Sequence, residues 1–216
     1  MTTLKLADVV ELFGKLAAAF EEQKDRLNEL DAAIGDGDHG MSMARGFSAV
    51  AAALRDNTPA TISDALAQGG MQFNEVSGST IGILMFSAMR EAGKAVSGKE
   101  SLGAAELADM LAAAIEGIKR RGKAEVGQKT ILDSLHPALE SLRAGLGSRG
   151  LEGEEALQAA ARAAEEGAES TRELDSKIGR ARWFSERSKG ALDPGAVSGA
   201  IIVRTVADYL QQGRAK

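Results

Sequence analysis

The chain has 216 residues, enough for one domain whose core buries about 70 % of the unfolded surface. Its 26 Lys and Arg against 31 Asp and Glu give a net charge of −5, and the absence of a basic run excludes the usual nucleic-acid interface. With no Cys and only two His, disulfide frameworks, thiolate zinc and multi-histidine metal sites are excluded, so any bound metal must be held by oxygen.

Apolar residues recur at intervals of three and four along most of the chain, which is typical of helices with one buried face. The low aromatic content, 4 %, also favours helix over a β-rich fold. In chain order, the clearest stripes run over residues 6–20, 43–54, 107–118, 132–146 and 196–210, and weaker ones over 61–74, 80–95 and 153–169. The pattern predicts an all-α, single-domain bundle or helical barrel of about eight helices spanning 1–216.

Pro137 interrupts the fourth of the clear stripes. Because proline lacks a backbone donor, that helix either kinks there or begins later. The chain has no uninterrupted apolar stretch of about 18 residues, and its first eight residues have no signal-peptide core. We therefore expect a soluble, cytoplasmic protein without a membrane partner.

The highest density of candidate functional residues lies between the first two stripes, where residues 31–40 read DAAIGDGDHG. Asp31, Asp36 and Asp38 put three carboxylates around a glycine-rich turn, and a hard divalent cation, best Mg²⁺, would offset their repulsion. The alternative is a plain turn in which Asp38 caps the next helix. A single histidine such as His39 is more often structural, although beside a metal–phosphate site it would contact phosphate oxygens.

Two familiar motifs match this loop only superficially. Gly35, Gly37 and Gly40 match G-x-G-x-x-G, but a helical stripe precedes them where a dinucleotide-binding fold needs a strand. An EF-hand beginning at Asp36 would need Glu at its twelfth position, where this chain has Phe47. Both are rejected.

A second candidate loop, residues 74–82, places small and hydroxyl residues just before an apolar run. Its N–H groups and hydroxyls are suited to an anion at a helix N-terminus, whereas plain capping by Ser77 or Ser79 is the alternative. No serine of the chain lies in a G-x-S-x-G motif, which argues against a common form of serine hydrolase.

Residues 122–130, GKAEVGQKT, nearly match a phosphate-binding P-loop. An extra Gln separates the second glycine from the lysine, and no strand precedes the segment, so it is not a P-loop. Two interpretations stay open: Lys129 and Thr130 face a phosphate, or Thr130 caps the next helix.

Residues 179–195 hold the single Trp beside Arg180 and Arg182, followed by an Asp-Pro-Gly turn. Guanidinium groups can neutralise a transferring phosphate, which makes Arg180 a candidate phosphate stabiliser. Surface ion pairs and a core Trp are the structural alternatives.

Together these segments resemble a known family, the nucleotide-binding L subunit of dihydroxyacetone kinase. The resemblance spans nearly the whole chain and rests on residues 34–40 (IGDGDHG), 121–124 (RGKA), 129–133 (KTILD) and 187–196 (RSKGALDPGA). It implies a barrel of eight antiparallel helices with ADP or ATP bound at one end. The chain departs from the family pattern in residues 75–79 and at Ser42, and these departures bear on substrate identity more than on phosphoryl transfer.

The resemblance also implies site residues. Asp31, Asp36 and Asp38 would hold two Mg²⁺ ions that bridge the nucleotide phosphates. The nucleotide would be lined by His39, Gly40, Met41, Ser42, Ser79, Thr80, Gly122, Arg180, Asp193, Pro194 and Gly195. Positioning and electrostatics would supply most of the catalysis, and no general base is required from this chain.

The family further implies a partner, because its ketose is held on a histidine of a separate K subunit or domain. The acceptor would be dihydroxyacetone or a related ketose such as erythrulose. Two routes stay open for the nucleotide: ADP that stays bound and is recharged by a phosphohistidine carrier, the M subunit, or exchange with free ATP.

Three other hypotheses stand beside the kinase subunit. One is the related nucleotide domain of fatty acid kinases, although their acidic loop typically has Thr where this chain has His39. Another is a regulatory protein whose nucleotide site docks a transcription regulator without turnover. The third is a plain helical scaffold, for which Asp36→Ala would leave metal and nucleotide affinity unchanged.

Overall fold

The computed structural model describes residues 3–33, 35–178 and 188–212, and this part of the chain is mainly helical. Its eight α-helices are α1 (Leu6–Ala32), α2 (His39–Asp56), α3 (Ile62–Ser77), α4 (Thr80–Ala95), α5 (Ala104–Gly122), α6 (Leu132–Leu146), α7 (Gly153–Ser170) and α8 (Pro194–Gln212). A 3-10 turn, Thr171–Glu173, follows α7. Strands β1 (Leu4–Lys5) and β2 (Ser101–Leu102) form one short antiparallel pair. The all-α prediction is confirmed.

The helices form a closed ring in which each packs against the next and α8 packs against both α7 and α1. Apart from the longer α7–α8 connection, the helices are joined by short connections, which favour antiparallel neighbours. Two side-chain hydrogen bonds show that α7 and α8 are antiparallel. Arg204 of α8 donates to Glu165 of α7 at 2.8 Å, and Gln158, which precedes Glu165 in α7, donates to Asp208, which follows Arg204 in α8, at 3.2 Å.

The apolar stripes face the interior of the ring, where three phenylalanines from neighbouring helices meet. The Phe20 and Phe47 rings stack with centroids 4.8 Å apart, and Phe73 meets Phe47 edge-on at 5.2 Å. Gly46 makes room for Phe73, because a Cβ at Gly46 would lie 2.4 Å from that ring. The cluster therefore fixes how α1, α2 and α3 cross.

Helix α6 continues through Pro137 and begins five residues ahead of it, so it does not start later. Proline at this position cannot donate to the carbonyl of Asp133. The carbonyl oxygen of Asp133 instead lies against α7 at Gly167, where a Cβ would come within 2.3 Å of it. Glycine at 167 thus lets α6 and α7 pack closely around the proline.

Because the helices alternate in direction, the carboxyl ends of α1, α3, α5 and α7 lie at the same end of the ring as the amino ends of α2, α4, α6 and α8. Residues 33–38, 78–79, 123–131 and 171–193 connect helices at this end. We call it the loop end. Within the described residues, no helix is both long and apolar enough to cross a membrane.

Candidate functional site

Three carboxylates meet where α1 ends and α2 begins. Asp31 lies in the last turn of α1, and Asp36 and Asp38 lie in the connection that follows. Their ligand oxygens all fall within 4.8 Å of one another, with Asp31 half-buried and the other two exposed. Such a cluster of hard oxygen ligands fits a divalent cation such as Mg²⁺.

The acidic loop folds over the Asp31 carboxylate. Its Oδ2 accepts hydrogen bonds from the backbone N–H groups of Gly37 at 2.9 Å and Asp38 at 3.1 Å. Gly37 has φ +78°, a conformation that favours glycine, and a Cβ at Gly35 would lie 2.4 Å from Asp31 Oδ1. The glycine pattern is therefore what lets the chain turn around a carboxylate.

The first turn of α2 is pressed against α1. The N–H of Met41 donates to Asn28 Oδ1 at 3.0 Å, and a Cβ at Gly40 would lie only 2.0 Å from the carbonyl oxygen of Lys24. Met41 is 46 % exposed, whereas Ser42 is buried in the same turn. This close packing sets the distance between Asp31 on α1 and Asp38 ahead of α2.

His39 connects the acidic loop to the other side of the ring. Its Nε2 lies 2.8 Å from Ser198 Oγ on α8, and both side chains are buried or half-buried. Burial lowers the pKa of His39, and the nearby charge of Asp31 opposes this effect. Ser198 carries no local sequence signal and was missed by the sequence analysis.

The start of α4 presents hydroxyl groups that do not cap the helix. Ser79 makes no side-chain capping bond, and the hydroxyl oxygens of Ser77 and Ser79 are buried without a hydrogen-bond partner within the described residues. A Cβ at Gly82 would lie 2.0 Å from Ser77 Oγ. The plain-capping alternative is thus wrong, and the unpaired hydroxyls and first-turn N–H groups suit an anion.

The segment that resembled a P-loop has a structural role. Thr130 Oγ1 accepts from the N–H of Leu132 at 3.2 Å, and Asp133 Oδ2 accepts from the N–H of Thr130 at 2.7 Å. The Lys129 amine is buried against backbone carbonyls of the α7–α8 connection. The N-cap residue of α6 is Ile131, and no side chain caps the helix, so Thr130 contacts the first N–H of α6 without being its N-cap. The Lys129 amine faces carbonyl oxygens and not a phosphate.

Asp193 caps α8 from a buried position. Its Oδ2 accepts from the N–H of Ala196 at 2.7 Å, and its own N–H donates to Thr171 Oγ1 at 3.0 Å. Burial raises the pKa of Asp193 to about 7; the charges of Asp133 and Asp31 add to the rise, while the Ala196 bond and Lys129 oppose it. A Cβ at Gly195 would lie 2.9 Å from the Asp193 carboxylate, so glycine is required beside it.

The remaining predicted residues follow the same topology. Thr80 and Pro194 are the first residues of α4 and α8, and Gly122 is the last of α5, beside Leu84 on α4. All therefore lie at the loop end with the carboxylates. Arg180, the predicted phosphate stabiliser, lies outside the described residues.

Comparisons with known proteins identify the family of the chain. Residues 33–208 match the DAK2 domain family. The ADP-binding subunit DhaL of PEP-dependent dihydroxyacetone kinase 1 from Listeria innocua is 36 % identical over 182 residues, which cover 84 % of this chain and 85 % of that protein. The L-erythrulose 1-kinase of Mycolicibacterium smegmatis is 33 % identical over 204 residues, 94 % of this chain but 35 % of that protein.

Among solved structures, the dihydroxyacetone kinase of C. freundii in complex with AMP-PNP and Mg²⁺ matches with a TM-score of 0.72 at 27 % identity. The match covers 96 % of this chain and 34 % of the kinase chain. The chain thus corresponds in length to the whole Listeria subunit and to about a third of the two larger kinases.

Proposed function

The chain belongs to the DAK2 domain family, and we propose that it is the nucleotide-binding subunit of a small-ketose kinase. In this proposal residues 1–216 form one nucleotide-binding domain that transfers a phosphoryl group from a Mg²⁺-bound nucleotide to a ketose held on a K-type partner subunit. One observation carries it: three clustered carboxylates share the loop end with a helix start whose buried hydroxyls are unpaired.

Asp31, Asp36 and Asp38 would hold the metal, with two Mg²⁺ ions as the expected number. Mg²⁺ supplies charge neutralisation on phosphate oxygens and keeps coordination positions open for them. Asp31 has a second task in this chain, because its Oδ2 already holds the loop N–H groups in place. That loop keeps Asp36 and Asp38 within reach of the same ion before any ligand arrives.

The phosphates would lie over the starts of α2 and α4. Ser79 and Thr80 offer hydroxyls and first-turn N–H groups. At the start of α2 the N–H groups of His39 and Gly40 would serve the phosphates, because those of Met41 and Ser42 already donate to Asn28 and Asp38. Helix N-termini carry partial positive charge that favours anions. Gly122 and residues 193–195 would line the rest of the nucleotide, with Arg180 as the phosphate stabiliser.

In this arrangement the chain orients phosphates and excludes water, and contributes no general base. Phosphoryl transfer depends mainly on alignment and on fixed donors around the phosphoryl group, so a closed ring of packed helices is well suited to it. The ketose hydroxyl would come from the K-type partner. DhaL of Listeria is named a PEP-dependent, ADP-binding subunit, which supports bound ADP recharged by a phosphocarrier, the M subunit, over exchange with free ATP.

The deciding experiment is calorimetric titration of the nucleotide-stripped chain with ADP and ATP, each in Mg²⁺ and in EDTA. We expect Mg²⁺-dependent binding that Asp36→Ala removes. Asp109→Ala, which removes an exposed carboxylate from α5, is the matched control and should bind as the wild type does. Binding of neither nucleotide by the wild type would refute the proposed function.

The identity of the phosphoryl acceptor is tested once nucleotide binding is established. The chain is combined with a purified K-type subunit and a phosphoryl donor, and phosphorylation of dihydroxyacetone and of erythrulose is compared. Nucleotide binding without turnover of either ketose would favour the regulatory hypothesis, in which the nucleotide site docks a transcription regulator.

A further inference from the structure

Lys129 is a buried cation that the proposed mechanism leaves unused. It lies in the connection between α5 and α6, its residue is only 3 % exposed, and its backbone has φ +60°. This left-handed conformation is unfavourable for a residue with a Cβ. Burial of the amine and strain in the backbone therefore both cost free energy at this one residue. Other interactions must offset these costs.

Three backbone carbonyls surround the amine. Lys129 Nζ donates to the carbonyl oxygens of Leu174 at 3.1 Å, Ser188 at 2.5 Å and Ala191 at 2.8 Å. An ammonium group has three donors, so all of its hydrogens have acceptors. Burial lowers the pKa of Lys129, while the charges of Asp193 and Asp175 oppose that effect.

The three acceptors belong to two separate arms of the α7–α8 connection. Leu174 lies just after the 3-10 turn, whereas Ser188 and Ala191 lie shortly before α8. The arms are also joined by Arg172, whose carbonyl accepts from the Gly190 N–H at 3.0 Å and whose guanidinium donates to the Gly190 carbonyl at 2.9 Å. The lysine thus fastens both arms to the α5–α6 connection.

The second arm leads directly into Asp193, two residues after Ala191. Asp193 is held from the other side by Thr171, whose hydroxyl accepts its N–H at 3.0 Å. A shift of Ala191 therefore moves the turn that residues 193–195 form. Displacements of about 1 Å in such positioning groups weaken ligand binding and catalysis strongly.

We infer that Lys129 is a positioning residue for nucleotide binding, which holds residues 193–195 in place through its three carbonyl contacts without touching the nucleotide. The inference rests on the proposed function, since the affinity for the nucleotide is the quantity that tests it.

The test compares Lys129→Met with Lys99→Met, a control that removes an exposed lysine from the opposite end of the ring. Two quantities are measured: binding of ADP in Mg²⁺ by calorimetry, and binding of Mn²⁺ alone by electron paramagnetic resonance. We expect Lys129→Met to weaken ADP binding about tenfold or more. Mn²⁺ binding should stay within about twofold of the wild type, because the carboxylates are held by a different loop.

A chemical rescue separates the positioning role from general support of the fold. Lys129→Ala lacks three carbons and the amine, which are the atoms of propylammonium. Adding propylammonium should restore ADP binding, whereas 1-propanol, which fills space without the charge, should not. Thr171→Val, which removes the acceptor of the Asp193 N–H, should weaken ADP binding and leave Mn²⁺ binding unchanged.

Two results would overturn the inference while the proposed function stands: ADP binding by Lys129→Met equal to the wild type, or parallel loss of ADP binding, Mn²⁺ binding and helical circular dichroism in both Lys129 variants. The second would make the lysine a support of the whole fold. Failure of the wild type itself to bind ADP would overturn both the inference and the proposed function.

Discussion

Replacing Gly40 by alanine should separate the two helix ends that carry the carboxylates. The added Cβ would lie 2.0 Å from the carbonyl oxygen of Lys24 and 2.9 Å from Asn28 Oδ1. Because the nearer contact is to backbone, the helices must move apart by about 1 Å before it becomes tolerable. We expect overpacking of this kind to cost about 1–3 kcal/mol of unfolding free energy.

The same displacement reaches the metal ligands. Asp31 lies one turn beyond Asn28 on α1, and Asp38 lies two residues before Gly40. Since Mg²⁺ demands short, nearly octahedral oxygen contacts, a shift of about 1 Å between these carboxylates should weaken metal binding about 10–100-fold, as loss of supporting contacts does in other metal sites.

Mn²⁺ titration followed by electron paramagnetic resonance measures the metal affinity, and urea denaturation measures the stability. The matched control is Gly14→Ala, in the exposed face of α1, where an added Cβ has no neighbour within 4 Å. It should raise the unfolding free energy by about 0.5–1 kcal/mol and leave Mn²⁺ binding unchanged. Mn²⁺ binding by Gly40→Ala equal to that of the control would refute the reasoning.

Three further outcomes are expected. Burial raises the pKa of Asp193 from an ordinary 3.8 to about 7, so between these two pH values the folded state binds a proton that the unfolded state has released. In EDTA the unfolding free energy should therefore fall as pH rises from about 4 to 7, by up to ~1.4 kcal/mol per pH unit, and an equal fall in Asp193→Asn would contradict this. Phe47→Ala should lose about 3–5 kcal/mol in urea unfolding, since it removes the ring that both neighbouring rings contact; a loss under about 1 kcal/mol would show that the cluster contributes little. Gly167→Ala should lower the thermal midpoint by several degrees because its Cβ would meet the carbonyl of Asp133, and an unchanged midpoint would show that α6 and α7 separate freely.

The helices were predictable because their signal is local. The stripe from Leu6 to Phe20 lies within α1, and the stripe from Leu132 lies within α6 from its first residue. Periodicity could not predict whether Pro137 interrupts its helix, since the packing around this proline depends on Gly167, a residue of another helix.

The acidic loop was also predictable from a short segment. Asp31, Asp36 and Asp38 meet through a turn of eight residues, and the glycines that permit this turn are in the same segment. The serines before α4 and the Asp-Pro-Gly turn before α8 were likewise visible as candidate sites. Their grouping at one end of the ring followed from the resemblance, and the alternation of the helices explains it physically.

The Lys129 segment shows where local patterns fail. Next to glycines and a threonine, this lysine looks like a phosphate ligand, but its amine contacts carbonyls that lie 45 to 62 residues further along the chain. In the same way, His39 pairs with Ser198, 159 residues away. No short-range spacing encodes either contact.

The sequence by itself thus determined the helical class, the approximate number of helices in the described part of the chain, and the oxygen-ligand chemistry of the acidic loop, because each depends on residues within a few turns of one another. Only the tertiary structure decided that Lys129 is a structural cation, that the Ser77 and Ser79 hydroxyls are buried with no hydrogen-bond partner among the described residues, and that Asp193 is buried deeply enough to raise its pKa. These properties depend on how the helices are packed in the ring, since packing decides which distant groups share a buried site and lose water.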